Sequence, residues 1–420
     1  MNKNGITIII KLYFIFLIPI FSSTTHIVKL RVKNYGPVKI LNKALLPSYT
    51  INNAIEQPKN ESELFVTIIN KDKEIELIWD NDFTNCSLMF AGSTNITEID
   101  LSEFNSDNVT DMSYMFISCT SLKLINLTNF KTTNVLYMIG MFANCSSLTS
   151  LDVSSFNTQS VIELNALFYG CYSLTSLNLT NFDFSSNENF NFMFQDCYKL
   201  KYLELPSIMI PTKIQPFISM FYNCYSLKSL DLSEWSIKDM EIIALHSMFY
   251  NCTSLTSLNI SIFETYSVGS VFLVGVIDSM FEGCKNLRYL NIANLYFIDG
   301  MGMQVIFSLG NIFKNTPENM VICLPDSNAY YLKKIFRNKT CGVITCDEDW
   351  ETKQKKINNE TGECMEKCEG AYPYEYNTYC YRKCPKGTTF NETSNLCEEC
   401  NFQDCNINKL TNEQKEEFVE

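Results

Sequence analysis

Histidine is nearly absent: the 420-residue chain has two, His26 and His246. A Ser–His or Cys–His nucleophile therefore has almost no material, and a metal site built on imidazole has none. Charged residues are scarce too, at 19%, and lysine and arginine form no runs. With a net charge of −13, nucleic acid and anionic membrane surfaces are poor partners. There is no Gly-rich phosphate loop and no H-E-x-x-H. No cofactor and no metal are expected, and no enzyme activity. After the first two dozen residues no apolar run is long enough to span a bilayer, and no lipid-attachment tail follows. That leaves membrane attachment open.

Cysteine, by contrast, is plentiful, at 18 residues, and it keeps time. Cys119, Cys145, Cys171 and Cys197 follow one another at 26-residue steps, and Cys224, Cys252 and Cys284 continue at wider ones. Around each lies the same unit, as in Met141-Phe-Ala-Asn-Cys-Ser-Ser-Leu-Thr-Ser-Leu-Asp-Val-Ser-Ser-Phe156. A period of this size with an L-x-x-L-x-L core marks a leucine-rich repeat.

Within a unit, Leu151 and Val153 alternate with Asp152, which predicts a short strand with the leucines inward. The other half spaces apolar residues three or four apart: Val109, Met112, Met115, Phe116, Cys119. That spacing predicts a short helix, N-capped by Asp107 or Asn108. Neither element buries its apolar face alone, so units must stack. The expected fold class is an α/β solenoid, right-handed, with strands in one sheet and helices opposite. It would have about nine coils of ~26–32 residues between roughly 84 and 322.

The ends read differently. Residues 1–23, with Lys3 and Lys11 beside an apolar run, resemble a signal peptide. Asn-x-Ser/Thr sequons from Asn60 to Asn391 fit a secretory route and a glycoprotein. Residues 26–83 alternate in three places, at Val28/Leu30/Val32, Leu64/Val66/Ile68 and Ile75/Leu77/Trp79, predicting a β-rich N-terminal cap. After the repeats, 84–316, a capping segment is expected at 317–340, with a helix over 328–336. A cysteine-dense module follows at 341–405: Cys341, Cys346, Cys364, Cys368, Cys380, Cys384, Cys397, Cys400 and Cys405. With Cys323 these make a disulfide scaffold rather than a zinc site, Cys323 reaching Cys341 or Cys346. Residues 406–420 form a helical or disordered tail.

Two columns of repeat residues are candidate sites. The first lies on the outer strand face: Asp100, Asn126, Asp152, Asn178, Glu204, Asp231, Asn259 and Asn291. Stacked at strand spacing, about 5 Å, these side chains could hold a cation or a sugar, or simply form a solvated ladder. The second is the cysteine ladder, Cys119, Cys145, Cys171, Cys197, Cys224, Cys252 and Cys284, expected as buried free thiols. Apolar insertions at 206–211, 240–243, 268–275 and 301–307 are expected to pack as extra turns on the core; a binding face is the alternative.

The unit Met141 to Val161, as it recurs, resembles the BspA-like leucine-rich repeat family. Cys380-Tyr-Arg-Lys-Cys-Pro-Lys-Gly-Thr-Thr-Phe-Asn-Glu-Thr-Ser-Asn-Leu-Cys397 is similar to furin-like or growth-factor-receptor cysteine-rich repeats. The first resemblance implies a secreted or surface-exposed protein that adheres to host proteins, matrix or cells. The expected function is non-catalytic recognition of an extracellular protein or glycan through the repeat surface. Two alternatives stay open: a structural coat component, and a carbohydrate-active enzyme using the acidic column.

Overall fold

The computed structural model describes residues 25–34, 36–41, 49–51, 54–60, 63–68, 74–206, 216–232, 235, 244–261, 277–292, 311–317, 320–324, 343–345, 356–361, 363–376, 379–385, 388–391 and 396–399. The signal peptide, the insertions at 240–243, 268–275 and 301–307, most of that at 206–211, the helix at 328–336 and the tail lie outside them.

The expected α/β class is wrong. Among the described residues there is no helix; all regular structure is strand and turn. Nor do the strands form one sheet along the array: they fall into five separate sheets. The helical stripe was misread for a reason visible in Met112–Cys119. Met115 N–H donates to the Met112 carbonyl, Ile117 to Tyr114 and Cys119 to Phe116, at 3.1–3.2 Å. Each bond closes a four-residue turn, so residues three apart share a face as they would on a helix. Ser113 N–H bonds to Asp111 Oδ1, and the other N–H groups leave the unit. Tyr114, Phe116 and Ser118 donate to the carbonyls of Ile139, Met141 and Ala143 in the next unit, at 2.7–2.9 Å. An α-helix would keep those bonds internal. Asp107 and Asn108 consequently cap nothing helical; Asp107 N–H bonds back to Asn105 Oδ1 instead.

Turns of this kind need left-handed backbone. The residue before each cysteine supplies it: Ser118, Asn144, Gly170, Asp196, Asn223, Asn251 and Gly283 have φ between 57° and 79°. These are residue types that tolerate that region at least cost. A second left-handed position, occupied by Tyr114, Gly140, Ala166, Phe192 and Ser219, has no such preference.

The core runs the length of the array. Phe90, Phe116, Phe142, Phe168, Phe194, Phe221, Phe249, Phe281 and Phe313 stack ring on ring, centroids 5.4–5.9 Å apart and planes within 14°. Leu122, Leu148, Leu174, Leu200, Leu227, Leu255 and Leu287, one per unit, are fully buried beside them.

At the N-terminal end, β1 (His26–Val32) buries Val28, Leu30 and Val32. The strands β2 (Gly36–Leu41), β3 (Tyr49–Ile51), β4 (Ala54–Asn60), β5 (Glu63–Ile68) and β6 (Glu74–Trp79) follow. β1 pairs antiparallel with β6 on one side and with β7 (Ile96–Glu103), the first repeat strand, on the other. The open edge of the repeats is thereby covered. β8 (Leu124–Asn126) pairs parallel with β7, and β9 (Ser176–Asn178) with β10 (Tyr202–Glu204). Further on, β11 (Ser257–Asn259), β12 (Tyr289–Asn291), β13 (Val321–Leu324) and β14 (Val343–Thr345) form a parallel sheet. Beyond it, β15 (Lys356–Asn358) carries Ile357 into a small cluster with Tyr289 and Val321, against which Cys364 and Tyr379 pack.

Candidate functional site

The strand-face column is assembled, but its side chains are occupied. Asn126 donates to Asp100 Oδ1 at 3.0 Å, and Asn178 donates to Glu204. Five of them also accept the N–H two residues on: Ser102 to Asp100, Thr128 to Asn126, Ser154 to Asp152, Thr180 to Asn178 and Ser261 to Asn259, at 2.9–3.1 Å. These Asx turns end β8, β9 and β11, whereas Asp100 lies within β7 and the strand expected at Leu151–Val153 does not form. Burial would raise the Asp100 carboxyl, but hydrogen bonds from Ser102 and Asn126 outweigh it and hold the carboxyl below its ordinary value. Ser154 does the same for Asp152. Carboxylates stabilised as anions are poor general acids. Asp231 is exposed and Asn291 is buried.

Beside Asp100 and Asn126 the N-terminal sheet leaves an open cleft of about 320 Å³, lined by Lys29, Arg31, Glu74, Glu76 and Glu98. Its cations are already matched. Arg31 pairs with Glu74 at 2.6 Å and Glu98 at 2.8 Å, and Lys29 pairs with Glu103. His26 is buried in β1 against Phe83 and Phe104, with Nε2 3.3 Å from Asp82. His246 lies on no helix; its carbonyl accepts the Ser219 N–H.

The cysteine ladder is free and buried; Cys86 is a buried free thiol too, but it takes the place of Met112 in its unit, where Ser93 stands at the ladder position. Each thiol of the ladder donates to the phenylalanine carbonyl one unit back: Cys119 to Phe90, Cys145 to Phe116, Cys171 to Phe142, and so on to Cys284 and Phe249, at 3.0–3.3 Å. Burial pushes the Cys86, Cys119, Cys171 and Cys284 thiols up to about 12. Such thiols are inert as nucleophiles. In the C-terminal module Cys368–Cys380 and Cys384–Cys397 are disulfides. Cys323 and Cys364 are disulfide-bonded as well. Cys341, Cys346, Cys400 and Cys405 lie outside the described residues.

Three features escaped the reading of the sequence. Ser106, Thr132 and Thr158 are buried hydroxyls that bridge units. Thr132 Oγ1 donates to the Asn157 carbonyl at 2.8 Å and accepts the Asn157 N–H at 2.7 Å, and the other two repeat the pattern. Their 26-residue spacing was there to be found. A second outer column, Asn85, Asp111, Tyr137 and Glu163, is joined by parallel bridges; burial raises the Glu163 carboxyl, which Asn189 partly offsets. Finally, Tyr172, Tyr198 and Tyr225 stack in successive units at 4.8 and 5.1 Å, part-exposed at the surface.

The geometry therefore defines a stacked-repeat protein whose units are tied by a turn ladder, with polar columns serving that ladder. Comparison with protein families agrees on the kind of repeat. Residues 165–302 match the BspA type Leucine rich repeat region, in six copies. Residues 66–204 match a family described as Mycoplasma protein of unknown function, DUF285. No curated protein matches the chain. Residues 165–302 of the repeat array are thus similar to BspA-type repeats.

Proposed function

We propose that the chain is a non-catalytic, secreted or surface-exposed recognition protein that holds an extracellular protein or glycan against its repeat surface. One observation carries the reading: successive units sit in register, so each exposed repeat position becomes a line of like side chains along the array, as Tyr172, Tyr198 and Tyr225 do. A line of that kind suits an extended partner, and BspA-type repeats are typical of surface-associated proteins. The anionic state of Asp100 and Asp152 weighs against a glycosidase built on their column, which would need a protonated acid.

Antibody against the chain should label intact, unpermeabilised cells, and the purified chain should adhere to immobilised matrix proteins or glycans. Absence of the chain outside the cell, together with no adherence to any such surface, would sink the reading.

A further inference from the structure

We propose that the rim between the turn ladder and the strands takes an anionic polysaccharide, a sugar chain bearing sulfate or carboxylate groups. This rests on the recognition reading above and names its ligand class.

The five residues after each ladder cysteine (120–124, 146–150, 172–176, 198–202, 225–229, 253–257, 285–289) contain Lys123, Lys199, Lys201, Lys228, Lys285 and Arg288, and no aspartate or glutamate. In a chain of net charge −13, this edge carries cations in four of its seven segments and acid in none. The structure stacks these segments on one another. Lys201 N–H donates to the Thr175 carbonyl at 2.9 Å, Thr175 to Thr149 at 3.2 Å and Arg288 to Thr256 at 2.8 Å. The side chains of Ser147 and Thr253 bond to the carbonyls of Thr120 and Tyr225 in the preceding units. The five lysines are exposed. Among the described residues, none of the six cations has an ion pair, whereas Lys29, Arg31, Lys131 and Lys314 all do.

The cations are densest at Lys199, Lys201 and Lys228. Lys201 and Lys228 hold the same place in adjacent units, about one strand spacing apart. The same segments carry the stacked Tyr198–Tyr225 pair and Tyr202, which is 62% exposed. Like charges this close repel unless a polyanion lies across them. Flexible lysines suit the point charges of sulfates and carboxylates, and neighbouring tyrosine, serine and threonine hydroxyls suit sugar hydroxyls. Glu204 and Asp231 lie further along the same units on the strand face, with Glu204 held by Asn178. Single-stranded nucleic acid is the poorer fit, because it binds by stacking bases on aromatic faces, and the rim tyrosines are stacked on each other.

The test is titration calorimetry of the full chain with dextran sulfate, hyaluronan, neutral dextran and single-stranded DNA, each at two salt concentrations. Dextran sulfate, hyaluronan or both should bind, salt-sensitively, the stronger of them telling sulfate from carboxylate; neutral dextran should not. Lys201→Glu with Lys228→Glu should weaken that binding about tenfold or more, and Lys201→Gln with Lys228→Gln by less, both with an unchanged urea midpoint. Asp152→Asn with Asp231→Asn should not weaken it. Binding of neither polyanion, unchanged affinity in the glutamine variant, or DNA bound as tightly would overturn the rim assignment. If the lysine variants still adhere to surfaces as the wild type does, only the rim falls. If the wild type adheres to nothing, the recognition reading falls with it.

Discussion

Two stretches of the array obey different rules of length. From Cys119 to Cys197 the cysteines step by 26 residues; from Cys197 to Cys284 they step by 27, 28 and 32. The thiol-to-carbonyl distance ignores the change: 3.1–3.3 Å for Cys119 to Cys197, and 3.0–3.2 Å for Cys224 to Cys284. So does the ring stack, at 5.4–5.9 Å in both. Within each unit the spacing from methionine to cysteine and from cysteine to strand leucine also stays constant, as in Met141–Cys145–Leu151 and Met280–Cys284–Leu290. The added residues must enter between a strand and the next turn ladder. The ladder is thus the part that cannot stretch, and the loops after the strands are free to lengthen. The Ser106–Thr132–Thr158 hydroxyl bridges belong to the regular stretch, where two units meet at a constant offset.

If the ladder is shared, alkali should open both stretches together. An unfolded thiol ionises near 9.0, while Cys119, Cys171 and Cys284 are held up to about 12 by burial. Above 9 the native state keeps protons that the unfolded state loses, so stability falls as pH rises from about 9 toward 12. The loss approaches ~1.4 kcal/mol per thiol per pH unit. With eight buried free thiols, a cooperative alkaline transition is expected, and a thiol reagent should then label all eight at once. Labelling of Cys224, Cys252 and Cys284 well before Cys119, Cys145 and Cys171 would break the comparison.

Phe168→Ala and Phe249→Ala probe the ring stack in the regular and the wide stretch. Each removes a fully buried ring stacked on both faces and should cost ~3–5 kcal/mol in urea unfolding. Unequal losses would show that the wide stretch is packed more loosely. Next come Gly170→Ala and Gly283→Ala, at ~1–3 kcal/mol. Their φ values are 68° and 79°, and a Cβ would meet Asn144 Oδ1 at 2.3 Å or Asn251 Oδ1 at 2.1 Å. Thr158→Val sharpens the contrast, since it strips both bonds from one bridge of the regular stretch. About 1–3 kcal/mol should be lost, with the Asp183 backbone losing hydrogen-exchange protection first. The smallest effect belongs to Asp152→Asn, because an exposed asparagine can still accept the Ser154 N–H. Its stability in urea unfolding should stay within about 0.5 kcal/mol of wild type.

Much of this was legible in the residues, though not all of it. Alternation at Val28/Leu30/Val32 and at Ile75/Leu77/Trp79 marks strands because period two has no other common source. Apolar residues three apart do have another source, and there the helix reading failed. The clue lay in Ser118, Asn144, Gly170, Asp196, Asn223, Asn251 and Gly283, residues suited to left-handed backbone just before each cysteine, which a helix would not want in its last turn at every repeat. The strand-face column can be listed from the sequence, but what its oxygens bind cannot. That Asn126 and Asn178 spend their oxygens on backbone two residues away depends on chain direction at the strand end, which a residue list does not contain.

By itself the sequence determined the period, the inward leucines and phenylalanines, and the two strand-rich and cysteine-rich ends, because burial and alternation are properties of residue order. Only the tertiary structure decided that half of each turn's N–H groups go to the neighbouring unit. Those bonds exist only once units stack, and they hold residues such as Tyr114 and Phe192 in a backbone region that they would not adopt alone. The nearness of Lys201 to Lys228 is likewise a fact of stacking: 27 residues apart in sequence, they hold the same place in neighbouring units.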